Sequence, residues 1–587
     1  MMNETITLAM IVKNEAGNLE NCLISVRGQV DEIVIVDTGS TDGTMEIARK
    51  YTDKVYSFFW REDFSAARNF AVEKASGDWI FYLDADEELV PGSGDLKCLA
   101  ARDLCPEAYL LPINNPIDGV TGEYNRFFVL RLFKNNGRYR FKGIIHEQVA
   151  VPENGVVEIA EGPVINHRKL PAGNRNRKRG RNLSLLIKAS SADPRNRFLQ
   201  YYLGVEWLML GKPERALQFL QQAYRNLTDE NLLFRGPALR YLIICLNALG
   251  RLDEAICLCL EADLKYPEYT DIYYLGGILF EEKQEYQLAI KWLSQAVKCG
   301  TPPPLYSHQN GSESFLAFYH LGYCHEMIGQ TDAACGYYLQ TLTANPKYIY
   351  PVYNLFLIIL AKSGPLRALE YFKEKGCLNN IEIAFTAAGL FFKSGYPDLA
   401  RLCLEENGTD RNKDEKFRFY LGKYSIFSGN PGQGIEFLKQ ISAESEFFVR
   451  SQIYQAIALL LQERYSESKS KALALWKNRL ARREARILLG LTRQMQKKGI
   501  LDNCPARIGE DDMLGAVREI LEECGRCLPD GRVSAGFDSI GLIEELESIT
   551  KNFSHKGWLT LYEYYRDKTC AWRDFVNYKF GLGGGRS

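Results

Sequence analysis

Long apolar runs are missing from this chain of 587 residues, and so is any excess of one charge. No uninterrupted apolar span reaches the ~20 residues needed to cross a bilayer. Met1–Val12 has no basic region followed by a long apolar core and a small-residue cleavage site. The expectation is a cytoplasmic protein with no integral membrane segment. The 72 basic and 73 acidic side chains nearly cancel, which removes the overall positive field on which nucleic-acid or membrane-surface binding would rest. Paired cysteines are lacking too. The 15 cysteines are scattered, mostly in apolar helical patterns such as Cys245, Cys257 and Cys259, where reduced thiols behave as small hydrophobes. The close pair Cys524 and Cys527 has no second pair and no nearby histidine, so packing explains it better than zinc. What is present is 46% hydrophobic content in a chain far longer than one ordinary domain, enough for at least two cores.

The first part of the chain alternates strands and helices. Ile6–Val12 reads as a strand, followed by Lys13, Asn14 and Glu15 and a helical pattern through Leu19, Cys22, Leu23 and Val26. A second strand ends at Asp37. The polar turn from Thr38 to Thr44 then enters a helix near Met45, with Ser40, Thr41 or Asp42 able to cap it. Strand, turn, helix and strand in this order predict a parallel sheet wound with helices, in which ligands bind beyond the carboxyl ends of the strands.

A third strand end is the most telling. The apolar run from Trp79 to Leu83 stops in Asp84-Ala85-Asp86-Glu87-Glu88. Strand alternation would put Asp84 and Asp86 on one side with room between them, and hard oxygen ligands so placed suit a magnesium or manganese ion holding a diphosphate. The plainer alternative is an acidic helix N-terminus. Arg68 and Asn69, in the helical stretch Ser65–Ala71, offer an arginine to a base or phosphate. Singly, each of these residues reads as a turn, a strand end or an exposed helix face. Together they describe a nucleotide pocket.

From Val120 to His167 the pattern becomes a meander: a strand over Phe127–Phe133, a turn at Asn135-Asn136-Gly137, a strand over Tyr139–Ile145, then His146-Glu147-Gln148 and a strand ending at His167.

The stretches MIVKNEAGNLENCLISV, DEIVIVDTGSTDGTMEIA, EDFSAARNFA and DWIFYLDADEEL resemble, in order and spacing, the family 2 glycosyltransferases with the GT-A (Rossmann-like) fold. The resemblance implies inverting transfer from a nucleotide sugar, most often a UDP-sugar, assisted by Mn2+ or Mg2+. Carried over by position, the nucleotide-sugar site is Val12, Asn14, Glu15, Asp37, Arg68 and Asp84. Asp37 would read the uracil, Asp84 would lie near ribose and metal, and Asp86 would bind the metal. Inverting transfer also needs a carboxylate that takes the acceptor proton opposite the departing diphosphate. Glu147 is the candidate, with a surface salt bridge as its plain alternative. His167 would complete the metal site with Asp86, and His146 could exchange roles with it.

Arg168, Lys169, Arg175, Arg177, Lys178, Arg179 and Arg181 form the densest basic patch. A solvated linker helix is the simple reading of such a run, and a lid whose arginines close over the diphosphate is the sharper one. Beyond it the chain is helical and periodic. Ala216, Ala255, Ala289, Ala334, Ala368, Ala400, Gly434 and Ser468 recur at spacings of 39, 34, 45, 34, 32, 34 and 34. Twelve residues before these positions stand mostly small residues such as Gly204, Gly277, Gly322 and Gly422, and four after them apolar ones such as Leu220, Leu293, Tyr338 and Leu438. The pattern resembles tetratricopeptide (TPR) repeats, with an insertion from Thr301 to Ser314.

The predicted organisation is α/β plus all-α: a GT-A domain over 1–167, a basic helical linker or lid over 168–195, TPR-like repeats over 196–476 and a helical region over 477–587. An aromatic stripe including Trp558, Tyr562 and Trp572 would cap the solenoid or form a homodimer surface. A sugar-transfer domain joined to repeats also resembles the peptide S-glycosyltransferases of sublancin type. The expected function is transfer of a sugar from a UDP-sugar to a protein or peptide held in the repeat groove. The alternatives are a cell-surface glycan or lipid-linked acceptor, and a non-catalytic adaptor that binds a nucleotide sugar.

Overall fold

The computed structural model describes residues 4–101, 106–117, 121–168, 172–394, 396–406 and 414–482, with single positions as far as 492. The expectations for Cys524, Cys527, the aromatic stripe and nearly all of 477–587 fall outside the described residues. The chain divides into two compact units at Tyr348/Ile349, inside the repeat array.

The first unit is built on a mixed sheet. Strands β1 (Ile6–Val12), β2 (Glu32–Asp37), β3 (Val55–Ser57) and β4 (Trp79–Phe81) are parallel in the order β3-β2-β1-β4. Helices α1 (Leu19–Ser25), α2 (Thr44–Ala48) and α3 (Phe64–Lys74) connect them. Next come β5 (Glu87–Leu89), α4 (Leu96–Ala100), β6 (Ala108–Pro116), β7 (Tyr124–Lys134), β8 (Arg140–Lys142), β9 (Gln148–Ala150), β10 (Val157–Ile159) and β11 (Ile165–His167). The sheet continues past β4 as β7-β6-β11-β5, with β10 on β6, while β8 and β9 form a separate hairpin. Both faces of the sheet are covered, as near-continuous apolar strands require. Leu8, Met10, Trp79 and Phe81 face α1 residues Leu19 and Leu23, whereas Ala9, Ile80, Tyr82 and Phe133 face Ala71 and Val72 of α3.

Two strands are shorter than predicted. The run Trp79–Leu83 is strand only to Phe81, and Asp84-Ala85-Asp86 is a turn closed by the Glu87 N–H donating to the Asp84 carbonyl at 3.0 Å. Asp84 and Asp86 are therefore brought together by a turn, not by strand alternation, and β5 rather than a helix follows. Likewise Tyr139–Ile145 is strand only over Arg140–Lys142. Gly143 takes φ +103°, and its carbonyl accepts the Ser65 hydroxyl at 2.6 Å while that of Ile144 accepts the Phe64 N–H at 3.1 Å. These bonds pin residues 143–147 to α3 as the loop of the β8–β9 hairpin, so Glu147 stands just before a strand rather than just after one.

Helix α5 (Ala172–Ala192) leads into antiparallel helical hairpins: α6 (Arg197–Met209) with α7 (Pro213–Asn226), α8 (Leu232–Ala248) with α9 (Leu252–Lys265), α10 (Thr270–Glu282) with α11 (Tyr286–Cys299), and α12 (Phe315–Met327) with α13 (Thr331–Ala344). Three of the four contain the predicted glycine crossing, the exception being α8 with α9, where Ile243 stands at that position. A Cβ added at Gly204 would lie 2.6 Å from Leu220, one at Gly277 2.5 Å from Leu293, and one at Gly322 2.7 Å from Tyr338. Only glycine allows these helices to approach so closely.

The insertion ties the repeats to the sheet. Its short strand β12 (His308–Gln309) pairs antiparallel with Asn125 and Arg126 of β7. Asp271 of α10 holds it: its carboxylate accepts the Gln309 N–H at 2.7 Å, contacts His308 Nδ1 at 2.8 Å and faces Arg240 Nε of α8 at 3.2 Å. Tyr306 stacks on Tyr269 with ring centroids 4.5 Å apart.

In the second unit, α14 (Tyr350–Glu374) is followed by three further hairpins: α15 (Ile381–Lys393) with α16 (Pro397–Glu405), α17 (Glu415–Phe427) with α18 (Pro431–Lys439), and α19 (Phe448–Leu461) with α20 (Tyr465–Trp476). Gly422 meets Leu438 as predicted, at 2.8 Å from an added Cβ. Helix α14 is the one described helix long and apolar enough to cross a membrane by length and composition. Its backbone breaks at Gly364 (φ 80°, ψ 175°), before Pro365, which leaves two helices each well short of the ~20 residues a bilayer requires.

His308 gives a pH prediction. Burial pushes its imidazole down, but a hydrogen bond to Asp271 and the Glu313 carboxylate, whose Oε2 lies 3.1 Å from Nε2, raise it to about 9. A raised folded-state pKa stabilises the charged form. The contribution is complete below the ordinary histidine value of about 6.5, amounts to at most about 3 kcal/mol, and is lost as pH rises through about 9. Thermal unfolding of the first unit between pH 6 and 10 is expected to show this loss, and His308→Gln to remove that part of the pH dependence.

Candidate active site

The carboxyl ends of β1 and β4, the β8–β9 loop, α5 and the first repeats surround one cavity of about 880 Å³. Of the predicted site residues, Val12, Glu15, Arg68, Asp84, Asp86, Glu147 and His167 line it. Asn14 and Asp37 instead organise the turn beside it. Asn14 Oδ1 accepts the Thr41 N–H at 2.7 Å, and Asp37 Oδ2 accepts the N–H groups of Gly39 and Ser40, each at 3.0 Å. Thr38 is the turn residue that lines the cavity.

Arg68 is the centre of the arrangement. It is buried on α3, its Nη2 donates to Asp84 Oδ1 at 2.6 Å and its Nε to Glu147 Oε1. One guanidinium thus joins the acidic turn to the hairpin loop, using its fork to hold two carboxylates in fixed relation. The surrounding protein desolvates Asp84 and opposes its charge, but Arg68 and then Arg131 outweigh this and hold its carboxyl well below the usual range. Tyr82 lies between the two arginines, its ring centroid 5.0 Å from Arg68 Cζ and 4.5 Å from Arg131 Cζ.

Arg131 and Glu87 form a second buried pair, Nη2–Oε1 2.7 Å, and Glu87 Oε2 accepts the Asp84 N–H at 2.9 Å. Sequence reasoning passed over both. A signal existed: Arg131 is a lone charge inside the apolar run Phe127–Phe133, and such a charge must find a partner when the strand is buried.

Asp86 faces the other way, into a cationic corner. Its Oδ2 lies 2.6 Å from Lys178 Nζ and 3.6 Å from His167 Nε2. Lys178 is also 4.0 Å from Glu15. The basic helix α5 therefore lies against the site, its Arg179 meeting Glu206 of α6 at 3.3 Å and its Arg181 lying over the Phe64 ring. Burial raises the Glu15 carboxyl, the Asn18 hydrogen bond works against this, and the Asp86 charge adds to it. An oxygen and an imidazole nitrogen as close as those of Asp86 and His167 can share one divalent ion, and the lysine at the same oxygen shows that this position already attracts a cation. No group of three His, Cys, Asp or Glu side chains suited to a metal occurs among the described residues, so further ligands would have to come from substrate and water.

His146 is placed differently. It takes φ 49° and stacks flat on Tyr202 of α6, with centroids 3.9 Å apart. Burial lowers its pKa to about 4, so it is neutral at pH 7. Of the two histidines, His167 is the one beside Asp86.

Residues 7–136 match the sequence model of Glycosyl transferase family 2, so the chain is a glycosyltransferase with a family 2 domain followed by TPR-type hairpins. The SPbeta prophage-derived glycosyltransferase SunS of Bacillus subtilis (strain 168) is 28% identical over 295 residues, 48% of this chain and 68% of SunS. A TPR repeat-containing protein of Synechococcus elongatus is 34% identical over 268 residues, 43% of this chain and 64% of its own length. The lipopolysaccharide core biosynthesis glycosyltransferase LpsC of Rhizobium meliloti is 33% identical over 175 residues, 27% of this chain and 62% of LpsC.

Arg68→Lys tests the bridge. A lysine is a single charged point that cannot reproduce the fork, and loss of alignment in a reacting site costs about a hundredfold in rate. Turnover of nucleotide sugar is expected to fall by about that factor while circular dichroism stays unchanged; an unaltered rate would show that the bridge has no part in positioning.

Proposed function

We propose that this glycosyltransferase moves a sugar, with inversion, from a UDP-sugar to a protein or peptide acceptor presented by the first repeats. One observation carries the reading. The cavity that holds Glu15, Asp84, Asp86, Glu147 and His167 is continued by Tyr201, Tyr202, Phe234 and Tyr241 of the repeat helices α6 and α8. The array therefore forms part of the wall of the reaction chamber, where an acceptor has to lie. The similarity to SunS, a glycosyltransferase, and to a TPR protein agrees with it.

In this reading Asp84 lies nearest the ribose, and Asp86 with His167 would hold Mg2+ or Mn2+. The bound ion would offset charge on the departing diphosphate. Glu147 takes the proton of the attacking acceptor atom. Its Oε1 is held by Arg68, which leaves Oε2 to receive the proton and keeps the carboxylate aimed. Lys178 adds positive charge beside the diphosphate position, and α5 together with the β8–β9 loop limits water access.

A panel of UDP-sugars with manganese, with and without EDTA, tests donor and metal through UDP release and the intact mass of acceptor peptides. Glu147→Gln is expected to retain UDP binding and to lose transfer by a factor of about 10² or more; undiminished transfer would move the base elsewhere. Asp86→Ala is expected to abolish turnover that EDTA can inhibit, and wild-type activity in that variant would remove the metal assignment. The similarity to LpsC favours a second reading, a glycan acceptor. Transfer to oligosaccharides with none to peptides would decide for it.

A further inference from the structure

Strand β7 is paired with β6 from Tyr124 to Phe133 on one edge. Its other edge is paired only near its ends, with β12 at Asn125 and Arg126 and with β4 from Leu132 to Lys134. Between these lie Phe127–Arg131. Pro112 and Pro116 of β6, which have no N–H to give, stand opposite Phe128 and Tyr124, so those two residues turn their own N–H and C=O groups away from β6. The outward Tyr124 carbonyl accepts the Asn310 N–H at 2.9 Å. Alternation makes Leu130 outward as well. The register irregularity opposite Tyr109 and Leu110 then shifts the phase, and the Arg131 carbonyl accepts the Tyr82 N–H at 3.2 Å. The outward backbone groups of Phe128 and Leu130 have no hydrogen-bond partner among the described residues.

The cavity lies along this gap. Phe127, Phe128, Val129, Leu130 and Arg131 all line it. Consecutive side chains of a strand point to opposite faces, so a cavity that touches all five wraps around the strand edge. Asp84 and Glu147 also line it, as do Phe234, Tyr241 and Tyr306 of the repeats. An edge with unpaired N–H and C=O groups is a template for one further extended chain.

We propose that the acceptor binds as an added β-strand on the free edge of β7 between β4 and β12, with Phe128 and Leu130 making its main-chain hydrogen bonds. This rests on the peptide-acceptor reading above and specifies its geometry. The open stretch from Phe127 to Arg131 is about 17 Å long at ~3.3 Å per residue, room for a short extended segment and not for a folded domain. The same edge already takes such a segment from the array itself, since β12 pairs with it. The acceptor residue then reaches Glu147, and a neighbouring side chain enters the aromatic end of the cavity. Affinity comes from backbone pairing and selectivity from alternate side chains.

The test uses the full-length wild-type chain, the active UDP-sugar with manganese, and short degenerate peptide mixtures carrying one central Ser, Thr, Cys or Asn. The best acceptor is then resynthesised with a single N-methylated amide at each position in turn. Strand addition predicts an alternating profile: transfer falls up to about tenfold where the amide faces β7, in line with the loss of one net hydrogen bond, and stays near the parent value at the amides between. A profile that is flat, or uniformly lowered, overturns strand addition and leaves the peptide-acceptor reading standing. Failure of every peptide mixture, with transfer to an oligosaccharide in the same assay, overturns the peptide reading and this inference with it.

Discussion

The buried guanidinium of Arg68 is the interaction on which the site depends. Asp84 belongs to the turn after β4, Glu147 to the loop of a separate hairpin, and neither segment has a regular backbone of its own to fix it. The arginine sits on α3, whose Ala71 and Val72 are packed under the sheet, so its position is set by the core. Removing a buried charge from between two carboxylates leaves both uncompensated. The acidic turn and the hairpin loop are therefore mechanically one piece.

The repeats of the first unit belong to the same piece. Asp271 binds the β12 backbone, His308 and Arg240 at once, and β12 completes one end of β7. Hairpins attached through a single linker could swing; those of the first unit are stitched into the sheet through an insertion between them. Helix α5 closes the remaining side, with Lys178 on Asp86 and Arg179 on Glu206. The helix that sequence composition presents as a solvated linker is a wall of the site.

Much of this was legible in the residue pattern, for physical reasons. Strand ends in a wound parallel sheet must converge, so Glu15, Asp84 and Asp86 were identifiable without knowing what they touch. The glycines twelve residues before each repeat reference residue had to meet a large side chain, and Gly204, Gly277, Gly322 and Gly422 do so. What was not legible depends on distant partners or on loop geometry. Local pattern reads the strand before Asp84 as running to Leu83, because nothing in Tyr82-Leu83 announces that the chain leaves the sheet. Tyr139–Ile145 alternates well enough to pass for strand until Gly143 turns it. Asn14 and Asp37 look like ligands by position, yet the neighbouring turn uses their carbonyl and carboxylate groups. The placement of Lys178 on Asp86, or of His146 on Tyr202, leaves no trace in spacing at all.

The pairing of β12 with β7 has a consequence for synthesis. Asn125 leaves the ribosome long before its partner Gln309, and the sheet between them is otherwise complete by His167. While the intervening hairpins are being made, the nascent domain carries an exposed strand end that invites wrong pairing. Contacts between residues so far apart in sequence are also the slow ones to form. The sheet of the transferase domain is finished by its own repeats, so this end of β7 gains its partner only after helices α6 to α11 have emerged.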